Sequence, residues 1–137
     1  MQKLKLTILL MFFSICMSGC VFDKEQPGIL FNKDPISKDT VMNSSRHFEV
    51  GKPIYYLFYT PKKIDTEFIR VQVFKVGDNI SRGGYKIVWT NEYRIMKQNM
   101  YYYYNHFVIH SAGSYMMQIF SMDDLMNPLV KNFFYVH

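Results

Sequence analysis

Beyond residue 20 the sequence holds no cysteine, since its two, Cys16 and Cys20, both fall at the extreme N-terminus. Whatever folds after that point has no internal disulfide and no thiolate metal site. If it is exported, its core alone must hold it. A basic block is also missing. Sixteen Lys and Arg against eleven Asp and Glu give a formal charge of +5, but they are scattered. Nucleic-acid binding needs a concentrated patch and is not expected. There is no amphipathic helical run of useful length, nucleophile motif, phosphate loop or paired-carboxylate signature. A short chain without these reads as a binding or structural domain, not an enzyme.

Metal ligands are equally sparse. The histidines are His47, His106, His110 and His137. His106 and His110 share a strand face but stand four residues apart, about 13 Å at strand rise. One zinc ion, with bonds to nitrogen near ~2 Å, cannot bridge them. The methionines divide between the N-terminal segment (Met1, Met11, Met17) and a remainder best explained as core filling and surface packing. No metal or cofactor is expected.

What the chain does have is aromatic, apolar material. Of its 137 residues 49% are hydrophobic and 18% aromatic, with 12 Phe and 11 Tyr. That length suits one domain. Aromatic content this high favours strands over helices.

The first twenty residues, MQKLKLTILLMFFSICMSGC, are ordered as a secretory signal. Lys3 and Lys5 form a positive end, Leu6 to Met17 an apolar stretch, and small Ser18 and Gly19 lead to Cys20. The Met17-Ser18-Gly19-Cys20 segment resembles the lipobox of bacterial lipoproteins, with Met17 where Leu is commoner. The resemblance implies cleavage between Gly19 and Cys20, a thioether-linked diacylglycerol on Cys20 and an acyl chain on its amine. Several acyl chains give stable anchoring, at about 0.8 kcal/mol per buried CH₂. It further implies a cell-envelope location. Val21, where Asp would signal inner-membrane retention, favours the outer membrane if the cell has one. Two other readings stay open. Cys20 could follow an ordinary secretory signal by chance, or Leu6 to Phe22 could be an uncleaved anchor at the short limit of about 17–25 residues. Loss of Lys3 and Lys5 with the leader lowers the charge from +5 to +3, a modest excess that suits an anionic membrane surface.

Residues 20–46 read as a lipidated N-terminus and linker, with a short edge strand around Ile29-Leu30-Phe31. A coil of this length reaches about 25–30 Å. From His47 to His137 short strand-like runs alternate with turns. The cleanest is Phe68 to Val76, where Ile69, Val71 and Val73 alternate with Arg70 and Gln72. About seven strands without helical crossovers predict an all-β antiparallel sandwich. The Ser111-Ala112-Gly113-Ser114-Tyr115-Met116-Met117 segment resembles the tyrosine corner of immunoglobulin-like domains. The resemblance implies that Tyr115 bonds back across the corner and that Met117 takes the place of the usual cysteine. Trp89 does not fall where the third-strand Trp of that family would.

The run Tyr101-Tyr102-Tyr103-Tyr104 is the most unusual feature. With Phe107 and Ile109 inward, Tyr101 and Tyr103 join them, and Tyr102, Tyr104 and His106 face out. With Tyr115, Met117 and Ile119 inward, Met116 and Phe120 face out. The last strand reads ambiguously, with Phe133 and Tyr135 inward and Phe134 outward as one assignment. These outward residues predict one contiguous aromatic and Met-rich interaction face. The expected function is a membrane-anchored binding or scaffolding module whose partner is an envelope protein or polysaccharide. The alternatives are a carbohydrate or peptidoglycan binder using its tyrosines, and lastly a small hydrolase.

Overall fold

The computed structural model describes residues 26–77, 84–97 and 100–137. The leader, including Gly19 and Cys20, lies outside the described residues. Among them are eight strands: β1 (Gly28–Asn32), β2 (His47–Phe48), β3 (Pro53–Tyr59), β4 (Phe68–Val76), β5 (Tyr85–Arg94), β6 (Tyr102–Val108), β7 (Gly113–Ser121) and β8 (Val130–Val136). They form a three-stranded sheet, β1-β3-β6, and a five-stranded sheet, β2-β8-β7-β4-β5. This is an all-β, immunoglobulin-like sandwich. In the lettering of that fold, β1, β3 and β6 are A, B and E, while β8, β7, β4 and β5 are G, F, C and C′.

Alternation builds both layers. Ile69, Val71 and Val73 of β4 are fully buried, as are Tyr115, Met117 and Ile119 of β7. From the small sheet, Ile29 and Phe31, Ile54, Tyr56 and Phe58, and Phe107 meet them. Phe134 is the hub. Its ring lies 4.9 Å from Phe31, 5.5 Å from Tyr115, 5.7 Å from Phe107 and 6.1 Å from Phe48, between ring centroids. Rings at such spacings, mostly tilted or edge-on, add to the area they bury.

Several expectations need correction. The sandwich begins at Gly28, not at His47. The Ile29–Phe31 segment is a full partner of β3, with Phe31 1% exposed. The stretch up to residue 46 expected to be linker is therefore part of the fold from Gly28 onward. Phe134 points into the core, while Phe133 and Tyr135 point out. Both parities of β8 are aromatic, so alternation could not choose; the pairing Tyr115↔Phe134 does. Tyr101 precedes β6 and is exposed instead of joining the core. One pair of strands is parallel: His47↔Tyr135 and Phe48↔Val136. It needs no helical crossover because the strands between β2 and β8 themselves make the connection.

Tyr115 closes the corner at the start of β7. Its Oη donates to the Ser111 carbonyl at 2.7 Å and accepts from Ser111 Oγ at 2.8 Å. Lys75 Nζ donates to Ser111 Oγ at 3.2 Å and lies 5.7 Å from the Tyr115 ring centre. Gly113 stands at φ 152°, which side chains rarely adopt, and a Cβ there would meet Lys75 Cε at 2.8 Å.

Candidate functional site

The expected interaction residues do not form one face. Tyr102, Tyr104 and His106 belong to β6 in the three-stranded sheet, whereas Met116 and Phe120 belong to β7 in the five-stranded sheet. Each set points away from the core, so the two lie on opposite outer surfaces of the sandwich. Met116 and Phe120 are also only 6% and 7% exposed, although neither joins the core cluster. They sit on a central strand whose neighbours' side chains cover them from both sides. Sequence alternation gave their direction correctly. It could not tell which sheet each strand would enter.

On the outer surface of the large sheet the register places Ile87, Phe74, Met116 and Phe133 in one row across β5, β4, β7 and β8. A bulge opposite Val73 and Phe74 re-aims β5 so that Ile87 rather than Val88 completes this row. Ile87 is 51% exposed and Phe133 40%, and Tyr85 and Tyr135 flank them, also exposed. A cleft lined by Phe74, Tyr85, Met116, Gln118, Lys131 and Phe133 lies over the row. The next row is polar: Thr90, Gln72, Gln118 and Lys131. Beyond it Arg70 donates two bonds to Glu92 Oε1, at 3.0 and 2.7 Å.

The outer surface of the small sheet is different. Its rows are Gly28–Tyr59–Tyr102, Leu30–Leu57–Tyr104 and Asn32–Tyr55–His106. The rings of Tyr102 and Tyr104 are nearly parallel, at 6.4 Å and 10°, and Tyr55 lies 5.4 Å from His106. Tyr102 is 43% exposed and Tyr104 52%. The Tyr59 ring lies over Gly28, where a Cβ would strike it. The Asn32 row is partly closed by the loop that follows β1. Asn32 Nδ2 donates to the Thr40 carbonyl, and Pro35 and Ile36 complete a cleft of about 250 Å³ with Tyr55, Tyr104, Asn105 and His106. Burial, then the neighbouring phenols of Tyr93 and Tyr103, push the Tyr56 pKa far up. Burial also raises Tyr103, opposed by the Asn105 amide that donates to its Oη at 2.9 Å. Both are core features, not reactive groups.

Among the described residues no group of three His, Cys, Asp or Glu comes together in a way that would hold a metal ion. Among the same residues no helix is long and apolar enough to cross a membrane. No family model matches the sequence, and no curated protein matches it. Solved structures that align with it include a superoxide reductase (neelaredoxin) from Ignicoccus hospitalis, at 6% identity over 82% of this chain and 80% of its own, with a TM-score of 0.48. An immunoglobulin-like protein from Pseudomonas aeruginosa aligns at 10% identity over 82% and 90%, with a TM-score of 0.44. A beta-glucosidase from Listeria innocua aligns at 9% identity over 80% of this chain but 16% of its own, with a TM-score of 0.43. Likenesses this weak carry no functional argument. The fold assignment rests on strand order and register.

Proposed function

We propose that this protein is a lipid-anchored, non-catalytic binding module of the bacterial cell envelope. Cys20 carries the diacylglycerol and acyl chain, and the outer membrane is its destination in a cell that has one. The sandwich presents its large sheet to an envelope protein. The observation that supports a protein partner is the apolar row that runs from exposed Ile87 through half-buried Phe74 and buried Met116 to exposed Phe133, with exposed Tyr85 and Tyr135 beside it. An apolar centre bordered by Gln72, Gln118 and Lys131 has the make-up of a protein interface. Crosslinking in cells, followed by identification of the captured proteins, tests this. Ile87→Ser with Phe133→Ser should remove the captured partner while the anchor and the thermal midpoint stay as in the parent. An unchanged set of captured proteins rules the surface out.

A second reading, a carbohydrate or peptidoglycan binder, draws on the cleft of Tyr55, Tyr104, Asn105 and His106. Aromatic walls suit a sugar ring. Its test is sedimentation with insoluble peptidoglycan, which Tyr104→Ser should abolish.

A further inference from the structure

The three strands of the small sheet read GILFN, PIYYLFY and YYYNHFV, and contain no Asp, Glu, Lys or Arg. The large sheet is unlike it: Arg70, Lys75, Lys86, Glu92, Arg94 and Lys131 all lie on its strands. An outward sheet face normally carries charges that keep it in water. This one carries Leu30, Leu57, Tyr55, Tyr59, Tyr102 and Tyr104, with Asn32 and His106 in the row farthest from Gly28. Over the two rows nearer Gly28 it is an apolar surface edged with phenol hydroxyls, and pressing that part against a low-dielectric phase would desolvate no Asp, Glu, Lys or Arg side chain.

The chain enters the fold on this same sheet. β1 is an edge strand of it, and Gly28 shares a row with Tyr59 and Tyr102. Only eight residue steps separate Gly28 from Cys20, so covalent geometry limits the span to about 26–29 Å at full extension. A relaxed coil of that length averages roughly 14–17 Å. At such distances the tethered surface meets the bilayer at high effective concentration. Tyrosine is enriched where proteins meet the membrane–water boundary, its ring among the acyl chains and its hydroxyl among headgroups. Lys62 and Lys63 are exposed in the loop that follows β3 at the same end of the sheet. Cations there suit an anionic surface.

We propose that the small sheet lies on the membrane surface, with Tyr59, Tyr102 and Tyr104 at the headgroup boundary next to the tether. The large sheet then faces away from the membrane. This rests on the lipid anchor at Cys20 and adds an orientation to it. The anchored domain is neither a tumbling ball on a string nor a spacer. It is laid down on one face, and its opposite face is the one offered to a partner.

Site-directed spin labelling of the full, processed protein tests this. If Cys20 is acylated it has no free thiol, so Tyr104→Cys and Ile87→Cys each provide a unique label site on opposite faces. Both residues are about half exposed, at 52% and 51%, so neither change empties the core. In vesicles of phosphatidylethanolamine and phosphatidylglycerol, the ratio of oxygen to nickel-chelate accessibility should be several-fold higher at 104 than at 87. Adding Tyr59→Ser and Tyr102→Ser to the Tyr104→Cys protein should bring its ratio down to that at 87. Equal ratios in the unmutated pair, on protein that still floats with vesicles and carries the acyl mass, overturn the orientation and leave the anchor standing. A higher ratio at 87 means the other face is down and overturns it too. Equal ratios together with loss of peptidoglycan sedimentation in Tyr104→Ser would give this face to a sugar instead. Absence of the acyl mass overturns anchor and orientation together.

Discussion

Tyr56→Phe and Tyr115→Phe delete the same atom from two fully buried tyrosines, and the structure requires opposite outcomes. Tyr115 Oη is engaged twice, with the carbonyl and the hydroxyl of Ser111. Tyr56 Oη is buried beside the Tyr93 hydroxyl, but makes no hydrogen bond of proper geometry among the described residues. An unsatisfied buried hydroxyl costs about 1–3 kcal/mol, while a made bond contributes about 0.5–1.5 kcal/mol. Tyr56→Phe should therefore stabilise the domain by about 1 kcal/mol, and Tyr115→Phe should destabilise it by about 1–2 kcal/mol. At roughly 4 °C per kcal/mol for a domain of this size, the two midpoints should separate by about 10 °C. Urea unfolding followed through the single tryptophan, Trp89, measures both. Alkaline pH adds a second arm. The folded pKa of Tyr56 is raised, chiefly by burial, so its contribution is complete below the ordinary phenol value and is lost as pH rises above it. Above pH about 10 the parent should lose about 1.4 kcal/mol per pH unit through this one retained proton. Tyr56→Phe should lack that component. A Tyr56→Phe protein less stable than the parent at neutral pH would show that the hydroxyl is satisfied after all and refute the reasoning.

Phe134→Ala removes the hub of the aromatic core and should cost about 3–5 kcal/mol, leaving little cooperative unfolding to observe by calorimetry. Gly113→Ala forces a side chain into a positive-φ position and should cost about 1–3 kcal/mol. The new methyl also pushes Lys75 off Ser111, so a control Lys75→Met should recover none of the loss. Asp124 accepts bonds from the Asn127 side chain and from the Met126 and Asn127 backbone amides, which hold its pKa below the ordinary value. Its ordering of the loop is therefore complete above the ordinary Asp pKa and fades as pH falls through the lowered one. Hydrogen exchange in residues 124–128 should be faster in Asp124→Ala than in the parent at neutral pH, and equal in the two once pH is below that lowered value.

Strand identity was legible wherever one parity was plainly apolar. Ile69, Val71 and Val73 announce β4, and Tyr115, Met117 and Ile119 announce the inner side of β7. Legibility failed where both parities were apolar, as in Phe133-Phe134-Tyr135, because pairing with Tyr115 decides the direction and pairing is not local. For β1 it succeeded in part: Ile29-Leu30-Phe31 reads as a short edge strand and is one, but nothing local shows that this strand, set apart from the other runs by the loop to residue 46, pairs with β3 as part of the sandwich. The division of the expected face into two surfaces was not legible at all. Tyr104 and Phe120 are close in sequence, and only the sheet topology separates them. The absence of charge from β1, β3 and β6 was readable from residue types, but its meaning appeared only when these strands proved to share a sheet.

The most direct measurement is the mass of the N-terminal peptide of the protein purified from its own envelope. It should begin at Cys20 and carry a diacylglycerol on sulfur, and Cys20→Ser should release the domain from the membrane fraction. A peptide that extends upstream of Cys20, or one that begins elsewhere with an unmodified thiol, contradicts the anchor and everything built on its distance from Gly28.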